Sequence, residues 1–129
     1  MTNGIYEKQT LNPETLLFGN NEFETGVLNI AEPGEGEKVN VIDGTILTRD
    51  SDTGKYVLAD SETIASGPLF ILVERVETPI TEAGDFAVRV CISGSVNRDL
   101  LNLAGDELSS SDVDSLRTWG ILALPAKKA

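Results

Sequence analysis

The sequence predicts one mostly β domain with one or two short α-helices, preceded by an extended N-terminal arm. Short apolar or alternating runs recur between clusters of Gly, Pro, Asn and Asp, which is the pattern of strands joined by turns. Helix signals are confined to the last quarter of the chain. A length of 129 residues suits a single core. We therefore expect a small α+β fold of the β-barrel or sandwich type, with the arm at 1–26 and the domain at 27–129.

The arm is predicted because residues 1–26 combine turn formers with isolated apolar residues and show no sustained periodicity. Pro13 and the pair Asn20 and Asn21 disfavour a continuous local element. Two interpretations stay open: the arm packs back on its own domain, or it extends to a neighbouring chain. The apolar residues available for either contact are Ile5, Tyr6, Leu11, Leu16, Leu17 and Phe18.

The next segments predict a short strand and then a β-hairpin. Residues 26–30 form the strand candidate, and a polar loop follows at 31–38. Residues 39–59 alternate on both sides of a polar turn, with the first strand of the hairpin beginning at Val39. Gly54 in that turn can adopt the left-handed conformation that closes such loops.

Three further strands are predicted in the second half of the chain. Residues 67–76 are a nearly continuous apolar run, which is typical of a strand buried on both faces and predicts the central strand. Residues 86–93 alternate between an apolar face and a more polar face. Cys91 lies on the polar face, so we expect a structural thiol that is only partly covered. The last strand is predicted at 121–124.

One helix is predicted between these last two strands. Ser110 or Ser111 offers an N-cap, Asp112 and Asp114 lie in the first turn, and Gly120 stands where a helix ends. The face predicted to pack on the sheet consists of Val113, Leu116 and Trp119. A shorter helical turn is predicted from Leu100, Leu101 and Leu103.

Composition excludes several classes of function. Ten Lys and Arg against 21 Asp and Glu give a net charge of −11, which repels nucleic acid and anionic lipid surfaces. The chain has no histidine and one cysteine, so histidine-dependent catalysis, zinc clusters and intrachain disulfides are excluded. A Ser with a Lys base is a formal alternative, but nothing selects Ser66 or Ser95 with Lys55. We predict a protein that is not an enzyme and that holds no cofactor.

A calcium loop at the hairpin turn is also rejected. Counting from Asp50, the sixth position should be Gly and is Lys55, and the twelfth should be Glu and is Ser61. Asp50 and Asp52 are better explained as turn residues, and no metal is predicted. No apolar run is long enough to span a bilayer, and the first residues lack the pattern of a signal peptide, which predicts a product of the cytoplasm.

The order of the segments resembles the head decoration proteins of tailed bacteriophages, the family that includes the phage lambda head decoration protein. The matching segments are 44–47, 69–73, 94–97 and 120–121. The resemblance covers roughly residues 26–124. The sequence departs from that pattern in the acidic residues of its arm, which are Glu7, Glu14, Glu22 and Glu24, and in the loop 31–38.

The resemblance implies a capsid decoration protein that binds the outer surface of an expanded head and stabilises it. Such proteins act as homotrimers at local three-fold positions and cement subunits of the major capsid protein, without direct contact to nucleic acid or membrane. It also implies that the arm adds as a strand to a capsid strand, through the backbone around residues 5–11. The implied capsid-binding arm residues are Ile5, Tyr6, Lys8, Thr10, Leu11, Leu16, Leu17 and Phe18.

The alternative is a small ligand-binding or carbohydrate-binding β module on a virion or cell surface. Such modules present patches of exposed aromatic residues, whereas this chain has one Trp, two Tyr and four Phe in total. An enzyme would require a pair of carboxylates in a cleft with shifted pKa values.

Overall fold

The computed structural model of the protein describes residues 15–74, 76 and 80–125. In chain order their elements are β1 (Leu17–Ile30), β2 (Ile46–Arg49), β3 (Tyr56–Leu58), β4 (Phe70–Leu72), β5 (Gly84–Asn97), α1 (Ser110–Thr118) and β6 (Ile121–Leu124). Two short 3₁₀ turns lie at Thr63–Ala65 and Arg98–Leu100. The predicted class, a small and mostly β fold with few short helices, is confirmed.

The strands close into a five-stranded barrel. The neighbours run β1, β3, β2, β4 and β5, and β5 returns to β1. β1 and β5 have 14 residues each and pair antiparallel over almost their whole length. The start of β1 and the end of β5 extend beyond the barrel. There β6 pairs parallel to β5, so that β1, β5 and β6 make a three-stranded extension. This long ribbon therefore joins the barrel to the extension.

Two hydrophobic clusters lie on opposite faces of this sheet. One fills the barrel and includes Leu28, Leu47 and Leu72; the other lies outside it and includes Leu116 of α1 and Ile121 of β6. Because successive side chains of a strand alternate between faces, a strand between the two clusters has no solvent-facing residues. β4 is such a strand, and all three of its residues are buried.

The central position of the apolar run 67–76 is confirmed, but the strand is shorter than predicted. β4 lies between β2 and β5 and pairs with both. The Val73 amide still donates to the Arg89 carbonyl of β5 at 3.1 Å, and farther on the Val76 amide donates to the Val41 carbonyl at 3.1 Å. The apolar residues after β4 thus pack into the core from a loop.

The strand predicted at 26–30 begins much earlier, at Leu17, so the predicted boundary at residue 26 falls inside β1. The chain pairs with β5 in spite of its turn-forming residues. These residues lie at register shifts in the ladder between Leu17 and Phe23. Asn20 has a φ of +56°, a conformation that asparagine tolerates better than most residues. The turn signals were therefore correct locally, but they mark bulges within a strand.

The hairpin predicted at 39–59 is confirmed in its second half, where β2 and β3 pair antiparallel. Its first strand begins at Ile46 because Val39 pairs elsewhere, with Ile80. Asp50 shapes the turn, since its carboxylate accepts hydrogen bonds from the Asp52 amide at 3.0 Å and the Thr53 hydroxyl at 3.1 Å.

The predicted partial exposure of Cys91 is wrong. The residue is fully buried, because the outer cluster under α1 covers the face of β5 that the sequence suggests is polar. That face is solvent-exposed at Arg89 and covered at Cys91. A single strand thus has two environments along one face.

Helix α1 ends as predicted and begins one residue early. Ser109 is the N-cap, and it forms a reciprocal capping box with Asp112, whose side chain accepts from the Ser109 amide. Of the predicted packing face, Leu116 is fully buried and Val113 partly so, but Trp119 is 42% exposed. Trp119 follows the last helical residue, so the helical period no longer directs it to the core.

Candidate interaction surface

Three of the predicted arm residues lie in the folded domain. Leu16 is buried in the outer cluster, and its carbonyl accepts a hydrogen bond from the Asn97 amide at 2.8 Å. Leu17 pairs with Val96 at the start of β1, and Phe18 is half-buried. This part of the predicted arm packs on its own domain, one of the two interpretations left open by the sequence. The other predicted arm residues lie outside the described residues, and they are Ile5, Tyr6, Lys8, Thr10 and Leu11.

The entry of the chain into β1 is fixed by the side chain of Asn21. Its Oδ1 accepts from the Gly19 amide at 3.0 Å, and its Nδ2 donates to the Ser95 carbonyl at 3.0 Å. Gly94 permits this close approach, because an added Cβ would lie 2.6 Å from the Asn21 side-chain Nδ2 and 2.5 Å from the Asn20 backbone carbonyl oxygen. The adjacent asparagines were the available sequence signal, since this residue type bonds to nearby backbone groups and tolerates bulges.

Cys91 lies beside this asparagine. The Asn21 Nδ2 approaches its sulfur at 3.6 Å, and the thiol donates to the Ser93 carbonyl at 3.0 Å. Burial raises the pKa of the Cys91 thiol, which keeps it protonated at neutral pH. A protonated thiol that is buried and hydrogen-bonded is a poor nucleophile, so its role here is structural.

We expect Cys91 to react with Ellman's reagent about two orders of magnitude more slowly in the native protein than in denaturant, because only an opened state exposes the thiolate. The measurement is the rate of release of the coloured thiolate, with and without 6 M urea, at the same pH. A native rate within a few-fold of the unfolded rate would contradict the burial described above.

One face of the three-stranded extension beside the start of β1 carries apolar residues. By strand alternation and register, Phe18, Ser95 and Leu122 share the face of the three-stranded extension opposite the outer cluster. Leu122 is 38% exposed. β6 carries no charged residue, and in the described part of the chain it pairs only with β5. An uncharged edge strand is a template for pairing with another chain.

A cleft of about 510 Å³ lies next to the end of β6. Its lining residues are Arg98, Asp99, Leu101, Glu107, Leu108 and Pro125. Its lining combines both signs of charge. Among the described residues, no group of three Cys, Asp or Glu side chains could hold a metal ion.

The formal Ser and Lys pair finds no support in the geometry. The Lys55 ammonium binds the Asp85 carboxylate at 2.7 Å, and the Ser66 hydroxyl donates to the Thr63 carbonyl at 3.3 Å. Ser95 lies in β5, where its carbonyl serves Asn21. These groups are used in local structure and do not meet.

Comparison with known proteins does not identify a family for this chain. No family model matches the chain, and no curated protein matches it at a significant level. Within the described ranges, none of the helical segments has the length and apolar character required to cross a bilayer.

Proposed function

We propose that this protein is a capsid decoration protein, which binds as a homotrimer at local three-fold positions on the outside of an expanded phage head and stabilises it. The order of the sequence segments, which resembles that of the head decoration proteins of tailed phages, supports this proposal. The observation that carries the proposal is the placement of the predicted arm. It joins the domain at Leu16 and Leu17, and β5 separates this point from β6, which has an uncharged free edge and the exposed Leu122.

A cementing arm must transmit force to the domain that it anchors. The chain following the arm enters β1, and β1 is bonded to β5 along nearly its full length. Pulling on such a strand along its axis loads many ladder hydrogen bonds together. The hydrogen bond from Asn21 to the Ser95 carbonyl and the buried Leu16 oppose separation of β1 from β5 at the end of β1 where the arm would pull.

In this proposal the arm adds as a strand to a strand of the major capsid protein, through the backbone of residues 5–11. Main-chain pairing supplies the affinity, so the acidic side chains of the arm do not have to be buried. Ordering a segment on binding costs conformational entropy, which three arms of one trimer offset through avidity. The net charge of −11 favours a binding surface on the capsid that is locally basic.

The alternative of a carbohydrate-binding module has less support. Sugar platforms use several exposed aromatic rings. Among the described residues, Trp119 is the exposed aromatic side chain, and Tyr56 is buried in the barrel. The expectation that the protein is not an enzyme stays part of the proposal.

The test is co-sedimentation of the full chain with undecorated, expanded heads of the tailed phage that encodes it. We expect saturable binding at three copies per local three-fold position. The variant I5D/L11D should fold normally but lose binding by at least roughly 100-fold, because two charges at strand-pairing positions oppose docking.

The matched control is N3D/N12D, which adds the same two charges to the same segment at positions outside the predicted pairing. It should bind like the unmodified protein. Equal binding by I5D/L11D and the unmodified protein would disprove the role of the arm. Absence of binding by every form would overturn the decoration proposal, and a glycan array would then test the alternative.

A further inference from the structure

The three-stranded extension has one face that the protein itself covers. Leu116 of α1 packs there in the outer cluster with Val96 of β5 and Ile121 of β6, and all three side chains are fully buried. Register and strand alternation direct the neighbouring side chains to the opposite face, which we call the Leu122 face. Its members are Phe18 of β1, Ser95 and Asn97 of β5, and Leu122 and Leu124 of β6.

Apolar side chains on the Leu122 face are accessible. Leu122 is 38% exposed, and Phe18 and Leu124 are half-buried. β5 is the middle strand of the extension, so the small Ser95 lies between Phe18 on one side and Leu122 on the other. A single exposed leucine is common on soluble proteins, whereas apolar side chains from two strands that share one face can form a contact surface.

The charge pattern indicates what this face contacts. None of its five side chains is ionisable, whereas the whole chain carries a net charge of −11. Along β1 and β5 the nearest charged residues are Glu22, which is paired with Ser93, and Arg98, which follows the strand. Two copies that met through acidic surfaces would repel each other, and a basic partner would be attracted to those surfaces instead. The Leu122 face therefore suits a second copy of this chain best.

The size of the face limits the strength of that contact. β6 has four residues, so the face is about 13 Å long at roughly 3.3 Å per residue, and its outer strands are about 10 Å apart. This is well below the area of about 800 Å² per partner that stable complexes bury. We expect reversible association of the free protein, with a dissociation constant of roughly 10–100 µM.

We propose that the Leu122 face is the surface through which copies of this chain contact one another. In the homotrimer, the Leu122 side chains of adjacent copies lie near the three-fold axis, and the acidic surfaces stay apart. The number of copies rests on the proposed function, whereas the position of the contact rests on the fold.

The test is sedimentation equilibrium of the full chain over a wide range of concentrations. The variant L122E should weaken association at least about 30-fold, because each copy would bring a carboxylate into an apolar contact. Raising NaCl from 0.05 M to 0.5 M should strengthen association of the unmodified protein several-fold, since salt screens the repulsion between copies. A contact built on ion pairs would weaken instead, and that result would overturn the proposal.

The matched control is V27E. Val27 is also 38% exposed and also lies in the sheet, but it pairs with Ala87 in the barrel part of the β1–β5 ribbon. V27E adds the same charge and should associate like the unmodified protein. L122N adds no charge and should weaken association about fivefold. Urea unfolding of every variant checks that the fold is retained.

Three results would overturn the proposal: an unmodified protein that stays monomeric at every concentration and salt, equal weakening by L122E and V27E, or a loss of folding stability in L122E with association unchanged. The last would show that the chain's own residues cover this face. Failure of the proposed function is distinguishable. If L122E abolished association and the unmodified protein still failed to bind phage heads, the contact would stand and the decoration role would be wrong.

Discussion

Replacing Gly44 by Ala is expected to destabilise the protein by about 4 kcal/mol, among the largest effects of a single substitution. Gly44 has a φ of +94°, which is unfavourable for a residue with a side chain. An added Cβ would lie 2.0 Å from the carbonyl oxygen of Leu100. That oxygen belongs to the backbone, so it cannot rotate away as a flexible side chain would.

The backbone around Gly44 has little freedom to relax. The Gly44 amide donates to the Leu72 carbonyl at 2.7 Å, and its carbonyl accepts from the Asn102 amide at 3.0 Å. Moving Gly44 away from Leu100 would therefore break its hydrogen bonds to Leu72 of β4 and to Asn102, which follows the 3₁₀ turn at Arg98–Leu100. The strain has to be taken up by several elements together.

Gly54→Ala is the matched control for this prediction. Gly54 has a similar φ of +74°, but an added Cβ there meets no atom within 4 Å. Its substitution should cost only about 1 kcal/mol, from the left-handed backbone alone. Urea unfolding followed by circular dichroism measures both variants. Equal losses of stability would show that the contact with Leu100 has no energetic effect.

These two glycines also show what the sequence could and could not predict. Gly54 lies between two alternating segments, so its role in the turn follows from local pattern alone. The importance of Gly44 depends on Leu100, 56 residues later in the chain, and no local pattern contains that contact. Strands, hairpin turn and helix were predictable because each depends on a few neighbouring residues.

The same distinction explains the errors at the candidate surface. Turn formers at Asn20 and Asn21 indicate an irregular arm, and only the partner strand β5 shows that they lie at bulges in β1. The alternation around Cys91 correctly predicts the two faces of β5, but not that α1 and β6 cover one of them. Leu16 to Phe18 could be identified from sequence as apolar anchors, whereas the choice of their own domain as partner required the structure.

Leu116→Ala is expected to destabilise the protein by about 3–4 kcal/mol, because a fully buried side chain is replaced by a cavity under a short helix. Leu116 is the one buried residue of α1. It packs in the outer cluster with Ile121 and Cys91, which joins the helix to β6 and β5. A helix of nine residues has little stability of its own, so its docking depends on this contact.

Val113→Ala is the control for the burial of Leu116. Both variants replace an apolar residue by Ala on the same face of α1, but Val113 is only partly buried and should cost about 1 kcal/mol. Ellman reactivity of Cys91 gives a second measurement, since loosening α1 should expose the thiol more often in Leu116→Ala than in Val113→Ala. Equal unfolding free energies for the two variants would show that α1 is held by its connections, with the outer cluster contributing little to its position.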